Sequence, residues 1–381
     1  MSIKRIAGLL FAVLVTSAQS SRAQQHRHSF DLVVGTYGSA DSAGIFVYRF
    51  DGRSGRMRAL DSVSGIENPS FVTFSPDHRF VYAVSETHQG RGGQVFAYRF
   101  DPKTGHLRLL NKRYSDGTDP CHISTDKTGR WLFVANYSSG SLSEFPIRSD
   151  GSIGPMSQHI QHHGHGPHKL RQASAHVHCV LVSPGNRHLF VADLGMDRVF
   201  AYDFNARTGR LTDGHPAYAR VKAGNGPRHL VFSTDGSRLY LIQEIAGRIN
   251  VFACKGDSLR TLQSLPTYPK GFRGRIWAAE LMLSPDGRYL YAANRDDLND
   301  LVVYRVHPGT GNLSEQSRIA SGGATPRNFT LSPDGRFLLA GHQNGQWIRE
   351  FRIRASDGTL HPDGVSLYRP HAVCLQMIPV R

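Results

Sequence analysis

One short phrase recurs throughout this chain of 381 residues. Its fullest form, Ser284-Pro285-Asp286-Gly287-Arg288, precedes an apolar run, and successive copies are separated by about fifty residues. A period in this range is typical of an array of equal supersecondary units that pack on their neighbours. The copies begin at Ser75, Asp126, Ser183, Ser233, Ser284 and Ser332.

Each unit reads as four short antiparallel strands. An alternating run precedes the phrase, as in residues 69–74, and this period of two predicts a strand. The Pro-Asp-Gly turn leads into an apolar strand, because proline presets φ and glycine accepts positive φ. A third strand follows, as in residues 94–100, and the turn at residues 101–105 leads into a fourth. Four such strands make one blade, and a closed ring of blades is a β-propeller.

The two ends of the chain supply one further blade. Residues 32–36, 44–50 and 55–60 read as second, third and fourth strands that lack a first strand. Residues 370–375 read as a lone first strand. Joining them closes the ring and removes the open sheet edges that promote aggregation. The sequence therefore predicts an all-β, seven-bladed propeller whose N-terminal strands and C-terminal strand share one blade.

Residues 1–23 are predicted to be a secretory signal peptide. The segment starts with basic residues, has an apolar core over residues 6–15 and ends in small residues up to Ala23. The apolar core is too short to span a membrane as a helix, and no other stretch is apolar enough. We therefore expect cleavage after Ala23, a single propeller domain over residues 24–381, and a periplasmic or secreted protein without stable membrane insertion.

The chain is basic, since 45 Lys and Arg face 30 Asp and Glu, which gives a formal net charge of +15. Such a charge attracts anions in general. Basic runs with interleaved aromatic residues, which indicate nucleic-acid binding, do not occur in the sequence, so we expect no nucleic-acid partner. We expect a monomer that binds a small anionic substrate.

Neither the cysteines nor a His-rich segment predicts a metal site. The four cysteines fall in different predicted blades without the paired spacing of a zinc site, so we expect free, buried thiols. The five clustered histidines have no accompanying carboxylate and predict a polar loop at the rim of the channel. We therefore expect neither a metal nor another cofactor. The residues concerned are Cys121, Cys179, Cys254, Cys374, His159, His162, His163, His165 and His168.

The repeat register brings many charged side chains to one mouth of the channel. First strands begin and second strands end at this mouth, because antiparallel neighbours run in opposite directions. Charged groups near a protein interior are costly unless they are paired or used. A structural ion pair between Arg228 and Glu244 is the alternative, but the whole set predicts an anion site with an acid or base. The set comprises Glu86, His178, Arg228, Glu244, Arg295 and Arg327.

Several phrases around these residues resemble one known family. They are Ala175-His176-Val177-His178, then Gly226-Pro227-Arg228-His229 with Gln243-Glu244, then Asn294-Arg295, then Thr325-Pro326-Arg327-Asn328. In this order they are similar to the bacterial lactonase family of seven-bladed propellers, which includes 6-phosphogluconolactonase and the carboxy-muconate lactonising enzyme. The resemblance covers residues from about 31 to 378 and departs from the family pattern at Gln243, where asparagine is usual.

The resemblance implies which residues act. It carries the family's proposed active site onto His178, Arg228, Glu244 and Arg295. We expect further substrate contacts from Arg327, His176, His229 and Glu86. A signal peptide would separate an exported protein from the cytoplasmic substrate 6-phosphogluconolactone, so another lactone is expected.

These residues predict a metal-independent lactone hydrolase. The arginines would hold a carboxylate or phosphate and stabilise the oxyanion as water adds to the carbonyl carbon. His178 or Glu244 would act as general base, and no Gly-x-Ser-x-Gly elbow supplies a serine nucleophile. Two alternatives stay open, namely a muconate-type cyclising enzyme and a non-enzymatic propeller that binds a cell-envelope partner.

Overall fold

The computed structural model describes residues 28–88 and 92–380, and the predicted signal peptide at residues 1–23 lies outside this part of the chain. The described residues form seven four-stranded antiparallel sheets, which confirms the all-β, seven-bladed propeller. The strands are β1 (Ser29–Thr36), β2 (Ile45–Asp51), β3 (Met57–Val63), β4 (Val72–Phe74), β5 (Phe80–Ser85), β6 (Gln94–Phe100), β7 (Leu107–Tyr114), β8 (Pro120–Thr125), β9 (Trp131–Asn136), β10 (Ser141–Pro146), β11 (Gln158–Gln161), β12 (Val177–Val182), β13 (His188–Asp193), β14 (Arg198–Phe204), β15 (Leu211–Arg220), β16 (Pro227–Phe232), β17 (Arg238–Gln243), β18 (Arg248–Lys255), β19 (Ser258–Pro266), β20 (Ala278–Leu283), β21 (Tyr289–Asn294), β22 (Asp300–Val306), β23 (Leu313–Ala320), β24 (Pro326–Leu331), β25 (Phe337–His342), β26 (Trp347–Ile353), β27 (Leu360–Tyr368) and β28 (Ala372–Pro379).

Blade 1 is shared by the two ends of the described chain, as predicted. Its strand order is β28-β1-β2-β3, and each of blades 2 to 7 uses four consecutive strands, from β4–β7 to β24–β27. In β28, Pro379 pairs with Phe30 and Cys374 pairs with Gly35, so the strand lies fully along β1. The first strands contact one another in ring order, and β28 closes the ring between β24 and β4.

Six first strands, namely β8, β12, β16, β20, β24 and β28, carry a β-bulge where they begin at the mouth. In β16, Pro227 pairs with Gln243 and His229 pairs with Ile242, so Arg228 is the extra residue. The same irregularity begins β8, β12, β20 and β24. Bulges re-aim side chains, and here consecutive residues of these strands meet across blades, as in the ring contacts of His229 with His178 and His122 and the hydrogen bond from Asn328 to Glu280. The upper tier is Cys121, His178, Arg228, Ala279 and Arg327, and the lower tier is His122, Cys179, His229, Glu280 and Asn328.

Repeated hydrogen bonds join four pairs of adjacent blades near the face opposite the mouth. Gln158 of blade 3 accepts from the backbone N of Leu211 in blade 4 (2.7 Å) and donates to its carbonyl (3.3 Å). The Tyr291 hydroxyl donates to the carbonyl of Gly358 (3.0 Å), whose φ of +72° favours glycine. The same two arrangements recur as Gln263 with Leu313, Asn111 with Ile153, Tyr240 with Gly311 and Tyr82 with Gly151.

The cysteines are free and lie on strands of four different blades. Cys121, Cys179 and Cys374 are buried, as predicted, whereas Cys254 is half-buried on β18. None of the described segments forms a helix of the length and apolarity that crossing a membrane requires.

Candidate active site

A cavity of about 350 Å³ opens at the mouth where the predicted charged residues converge. Side chains from six blades reach it, because first strands start there and second strands end there. A larger cleft of about 650 Å³ lies between turns at the opposite face, but its Arg79 is already paired with Asp77. The charged or polar lining of the mouth cavity includes Glu86, Arg171, His178, Glu244, Arg295 and Arg327.

Glu244 is the centre of an arginine cluster. Its Oε2 lies 2.9 Å from Nε of Arg228 and 2.8 Å from Nη2 of Arg295, and its Oε1 lies 2.5 Å from Nη2 of Arg171. Burial alone would raise the pKa of this carboxyl, but the charges of the three arginines outweigh burial and hold the pKa well below its usual value. Glu244 therefore stays ionised, and both of its carboxylate oxygens are paired with arginines.

Arg228 and Arg295 are tied to the backbone as well as to Glu244. Arg228 is almost fully buried and donates from Nη1 to the carbonyl of Ala279 (2.5 Å). Arg295 donates to the carbonyls of Trp277 and Ala278, at 3.3 Å each, and faces the cavity. Burial lowers the pKa of Arg295 to about 10, so it stays charged at neutral pH. The cluster is thus held rigidly, with Arg228 behind and Arg295 in front.

His178 stands beside this cluster as a neutral imidazole. Its Nε2 lies 4.0 Å from Oε2 of Glu244, and its Nδ1 lies 3.8 Å from Sγ of Cys121. Burial, and then the charge of Arg228, lower the pKa of His178 well below its usual value. The ring can accept a proton only weakly in this environment.

Arg327 and Glu86 form the opposite wall. Glu86 Oε2 lies 3.9 Å from Nη2 of Arg327, and both Glu86 oxygens lie 3.0 Å from the hydroxyl of Tyr37. Arg327 donates to Oε1 of Gln343 at 3.2 Å. Burial disfavours its charge, but Tyr37, Glu86 and Glu244 outweigh burial and raise the pKa of Arg327. Arg327 therefore lies between the two carboxylates as a fixed cation.

His229 and His176 lie beside the cavity rather than in its lining. His229 belongs to the lower tier, where its Nδ1 lies 2.9 Å from Oε1 of Glu280 and its ring packs edge-on against His178. His176 is half-buried, stacks on Tyr137 and contacts the carbonyl of Tyr137 through Nδ1 (3.0 Å). Both histidines support residues that face the cavity.

The His-rich segment is more ordered than a polar rim loop. His159 lies on the outer strand β11, and His162 is buried between Oδ2 of Asp193 (2.7 Å) and the hydroxyl of Tyr202 (2.8 Å). The chain must then cross from the outer strand of blade 3 to the inner strand of blade 4 on the mouth side. This crossing carries Arg171 over Glu244. Within residues 28–88 and 92–380, no three His, Cys, Asp or Glu side chains are arranged to hold a metal ion.

Tyr37, Trp277 and Arg171 contact residues of the site but were not predicted from the sequence. Tyr37 occupies in blade 1 the position that Glu86 holds in blade 2, so the repeat register could have identified it. Trp277 directly precedes β20, and the guanidinium of Arg171 lies 4.5 Å from its ring centroid. Arg171 has no equivalent in the repeat, because it lies in an inserted crossing segment.

Comparisons with known proteins identify the family of this chain. The family described as "Lactonase, 7-bladed beta-propeller" matches residues 31–377. A 6-phosphogluconolactonase of Formosa agariphila is 34% identical over 83% of this chain and 90% of its own, and one of Bacillus subtilis is 29% identical over 91% and 97%. The structure of a periplasmic gluconolactonase of Pseudomonas aeruginosa superposes with a TM-score of 0.87 at 38% identity, covering 93% of this chain and all of that one. The chain belongs to the lactonase family of seven-bladed β-propellers.

Proposed function

We propose that this protein hydrolyses a small lactone in the mouth cavity, with His178, Arg228, Glu244 and Arg295 as the core of the site. The observation that carries the proposal is the arginine cluster on the buried Glu244, which faces a cavity large enough for one sugar-sized ring. Family membership and the names of the relatives support lactone hydrolysis.

The chemistry follows from the fixed positive charge. Water adds to the lactone carbonyl carbon, and the carbonyl oxygen becomes an oxyanion that Arg295 and Arg327 stabilise. Glu244 keeps the guanidinium groups in place before substrate arrives, so little reorganisation is needed during the reaction. The ring C–O bond then breaks, and the alkoxide takes a proton to give a hydroxy acid. No step in this scheme requires a metal.

The proposed substrate is an anionic lactone of the sugar-acid type. Arg327 and Glu86 would contact it directly, while His176 and His229 would act through Tyr137 and His178. A second candidate is an uncharged aldonolactone. It is favoured by the equal numbers of arginines and carboxylates that line the cavity, and by the description of the Pseudomonas aeruginosa relative as a gluconolactonase.

A lactone panel tests the proposal. Glucono-δ-lactone, 6-phosphogluconolactone and a carboxylated lactone are offered to residues 24–381, and hydrolysis is followed by acid release above the spontaneous rate. Acceleration of any one supports the proposal. Muconate cyclisation without lactone hydrolysis would favour a cyclising enzyme, and inactivity on every compound would favour a binding propeller.

We also propose export to the periplasm or medium, with cleavage after Ala23. The basic start, the apolar core and the small residues before residue 24 support it, and one relative is described as periplasmic. N-terminal sequencing of protein from the native host tests it, and an intact Met1 on cytoplasmic protein would reject it.

Arg327→Ala is expected to lower kcat/KM by about ten- to a hundredfold. A lost charge-assisted hydrogen bond costs about 1.5–3 kcal/mol, and Arg327 is the cavity arginine with no carboxylate closer than 3.9 Å. Steady-state kinetics on the best lactone measure this. The control is Arg305→Ala on the exposed surface of β22, which should leave kcat/KM unchanged. Equal kinetics for both variants would remove Arg327 from the site.

Arg171→Ala is expected to raise KM by about tenfold while changing the unfolding midpoint little. Arg171 lies on the crossing segment and is partly exposed, so its loss leaves Arg228 and Arg295 on Glu244. Lys169→Ala is the matched control, because Lys169 is exposed in the same segment. An unchanged KM in Arg171→Ala would contradict a role in binding.

A further inference from the structure

The two glutamates that line the cavity, Glu86 and Glu244, differ in the number and length of their ion pairs. Glu244 is held by three guanidinium groups at 2.5 to 2.9 Å, so protonating it would break a buried charge cluster. Among residues 28–88 and 92–380, the cation nearest to Glu86 is Arg327 at 3.9 Å, and a closer partner is the hydroxyl of Tyr37 at 3.0 Å. Of the two, Glu86 is the carboxylate that can accept a proton without disrupting the site.

The surroundings of Glu86 suit this task. It lies directly after β5, lines the cavity, and has a side chain that is 18% exposed, so water can reach it. Among the residues that the structure describes, the titratable or charged groups that face it are Tyr37 from blade 1, Cys121 from blade 3 and Arg327 from blade 7. Tyr37 has a single hydroxyl proton, so it donates to one Glu86 oxygen at a time and leaves the other available.

We propose that Glu86 is the general base that activates the attacking water. This rests on the proposed lactone hydrolysis and assigns the step for which His178 and Glu244 were the sequence candidates. One O–H bond of water breaks and its proton moves to Glu86 as the water oxygen bonds to the carbonyl carbon. The ring C–O bond then breaks, Glu86 returns the proton to the leaving alkoxide oxygen, and the new carboxylic acid ionises to solvent.

His178 is a less suitable base because of what its ring nitrogens face. Nε2 points to Glu244 and Nδ1 points to Cys121, at 4.0 and 3.8 Å. A proton on this ring would also place a positive charge in a buried site that already contains Arg228. His178 thus acts as a neutral positioning residue for Glu244. Arg327 lies between Glu86 and Glu244, so it is the cation nearest to an oxyanion that forms beside Glu86.

The test compares Glu86→Gln with the parent on the lactone that the panel identifies. We expect kcat to fall by about 10²–10⁴-fold with KM within a few-fold, because general-base catalysis contributes about this factor. The unfolding midpoint should change little, since the ion pair that the described residues form with Glu86 is a long one, with Arg327 at 3.9 Å. Formate added to Glu86→Ala should restore part of kcat, because a small carboxylate fits the space of the deleted side chain.

Tyr37→Phe provides a second measurement. As the Tyr37 hydroxyl donates to Glu86 and orients it, its loss should lower kcat by about tenfold while KM stays within a few-fold of the parent. A folded Glu86→Gln that keeps kcat within tenfold of the parent, or a Glu86→Ala that formate fails to rescue, would overturn the assignment. If the parent hydrolyses no lactone, the proposed function itself fails, which the panel shows before any variant is made.

Discussion

Glu244→Gln is expected to lower the free energy of unfolding by about 3–5 kcal/mol, as removing one partner of a buried ion pair typically does. Arg228 and Arg295, whose side chains are 2% and 5% exposed, would be left close together without their shared carboxylate. Lactone hydrolysis should fall with it, because the guanidinium groups that stabilise the oxyanion lose their fixed positions. Denaturant unfolding and steady-state kinetics measure the two effects.

The matched control is Glu315→Gln. Glu315 also pairs with an arginine, Arg318 at 3.1 Å, but its side chain is 40% exposed, so the expected cost is about 0–1 kcal/mol.

The pKa of Glu244 is depressed from its usual 4.5, so its contribution to stability is complete above about pH 4.5 and is lost only as pH falls through the lower folded value. The difference between parent and Glu244→Gln should therefore be constant at neutral pH and shrink in strong acid. Equal unfolding midpoints of the parent and Glu244→Gln at pH 7 would contradict a stabilising role of the arginine cluster on Glu244.

Truncation after His371 is expected to prevent stable folding. It removes β28, which buries Val373, Cys374 and Leu375 and closes the ring between β24 and β4. Each buried aliphatic side chain contributes about 1.5–3 kcal/mol, and a typical domain has only about 5–15 kcal/mol in total. The unpaired edge of β1 would also promote association. Size-exclusion chromatography and thermal unfolding would report aggregation or a lost transition.

A circular permutant separates ring closure from mere loss of chain. The backbone N of Val380 lies 3.1 Å from the carbonyl oxygen of Ser29, so the two ends of the described fold are adjacent. Joining them with a short linker and opening the chain between β3 and β4 keeps every strand. This variant should unfold within a few degrees of the parent. A truncated protein with the parent's unfolding transition would refute closure by β28.

The fold could be predicted from the sequence because each blade repeats the same turn residues and packs mainly on its two neighbours. Register also brought Glu86, His178, Glu244 and Arg327 to the cavity, since strand ends fix which side of the ring a residue occupies. Register does not give distances, however. It could not reveal that both oxygens of Glu244 are paired with arginines while those of Glu86 are not, and this difference decides which of the two glutamates is able to accept a proton.

Residues outside the repeat were beyond the reach of this reasoning. Arg171 lies in a segment inserted between blades 3 and 4, and its contact with Glu244 depends on how that segment folds. Its path is set by buried partners of the segment, such as His162 on Asp193, which are distant in sequence. The bulges at the starts of the first strands were also not predicted from the sequence. Strict alternation along a strand would have turned His229 and Glu280 away from the channel.

The amide and tyrosine hydrogen bonds between blades restrict which parts of such a protein can change during evolution. They link the outer strands and turns near one face, so a change of blade number or tilt would break several of them at once. The segments that connect one blade to the next at the mouth are free of this constraint, and residues 162–176 illustrate how much can be inserted there. Selectivity for different ring-shaped esters should therefore evolve by exchange of these connecting segments over an invariant ring, and grafting residues 162–176 between relatives is the direct way to transfer it.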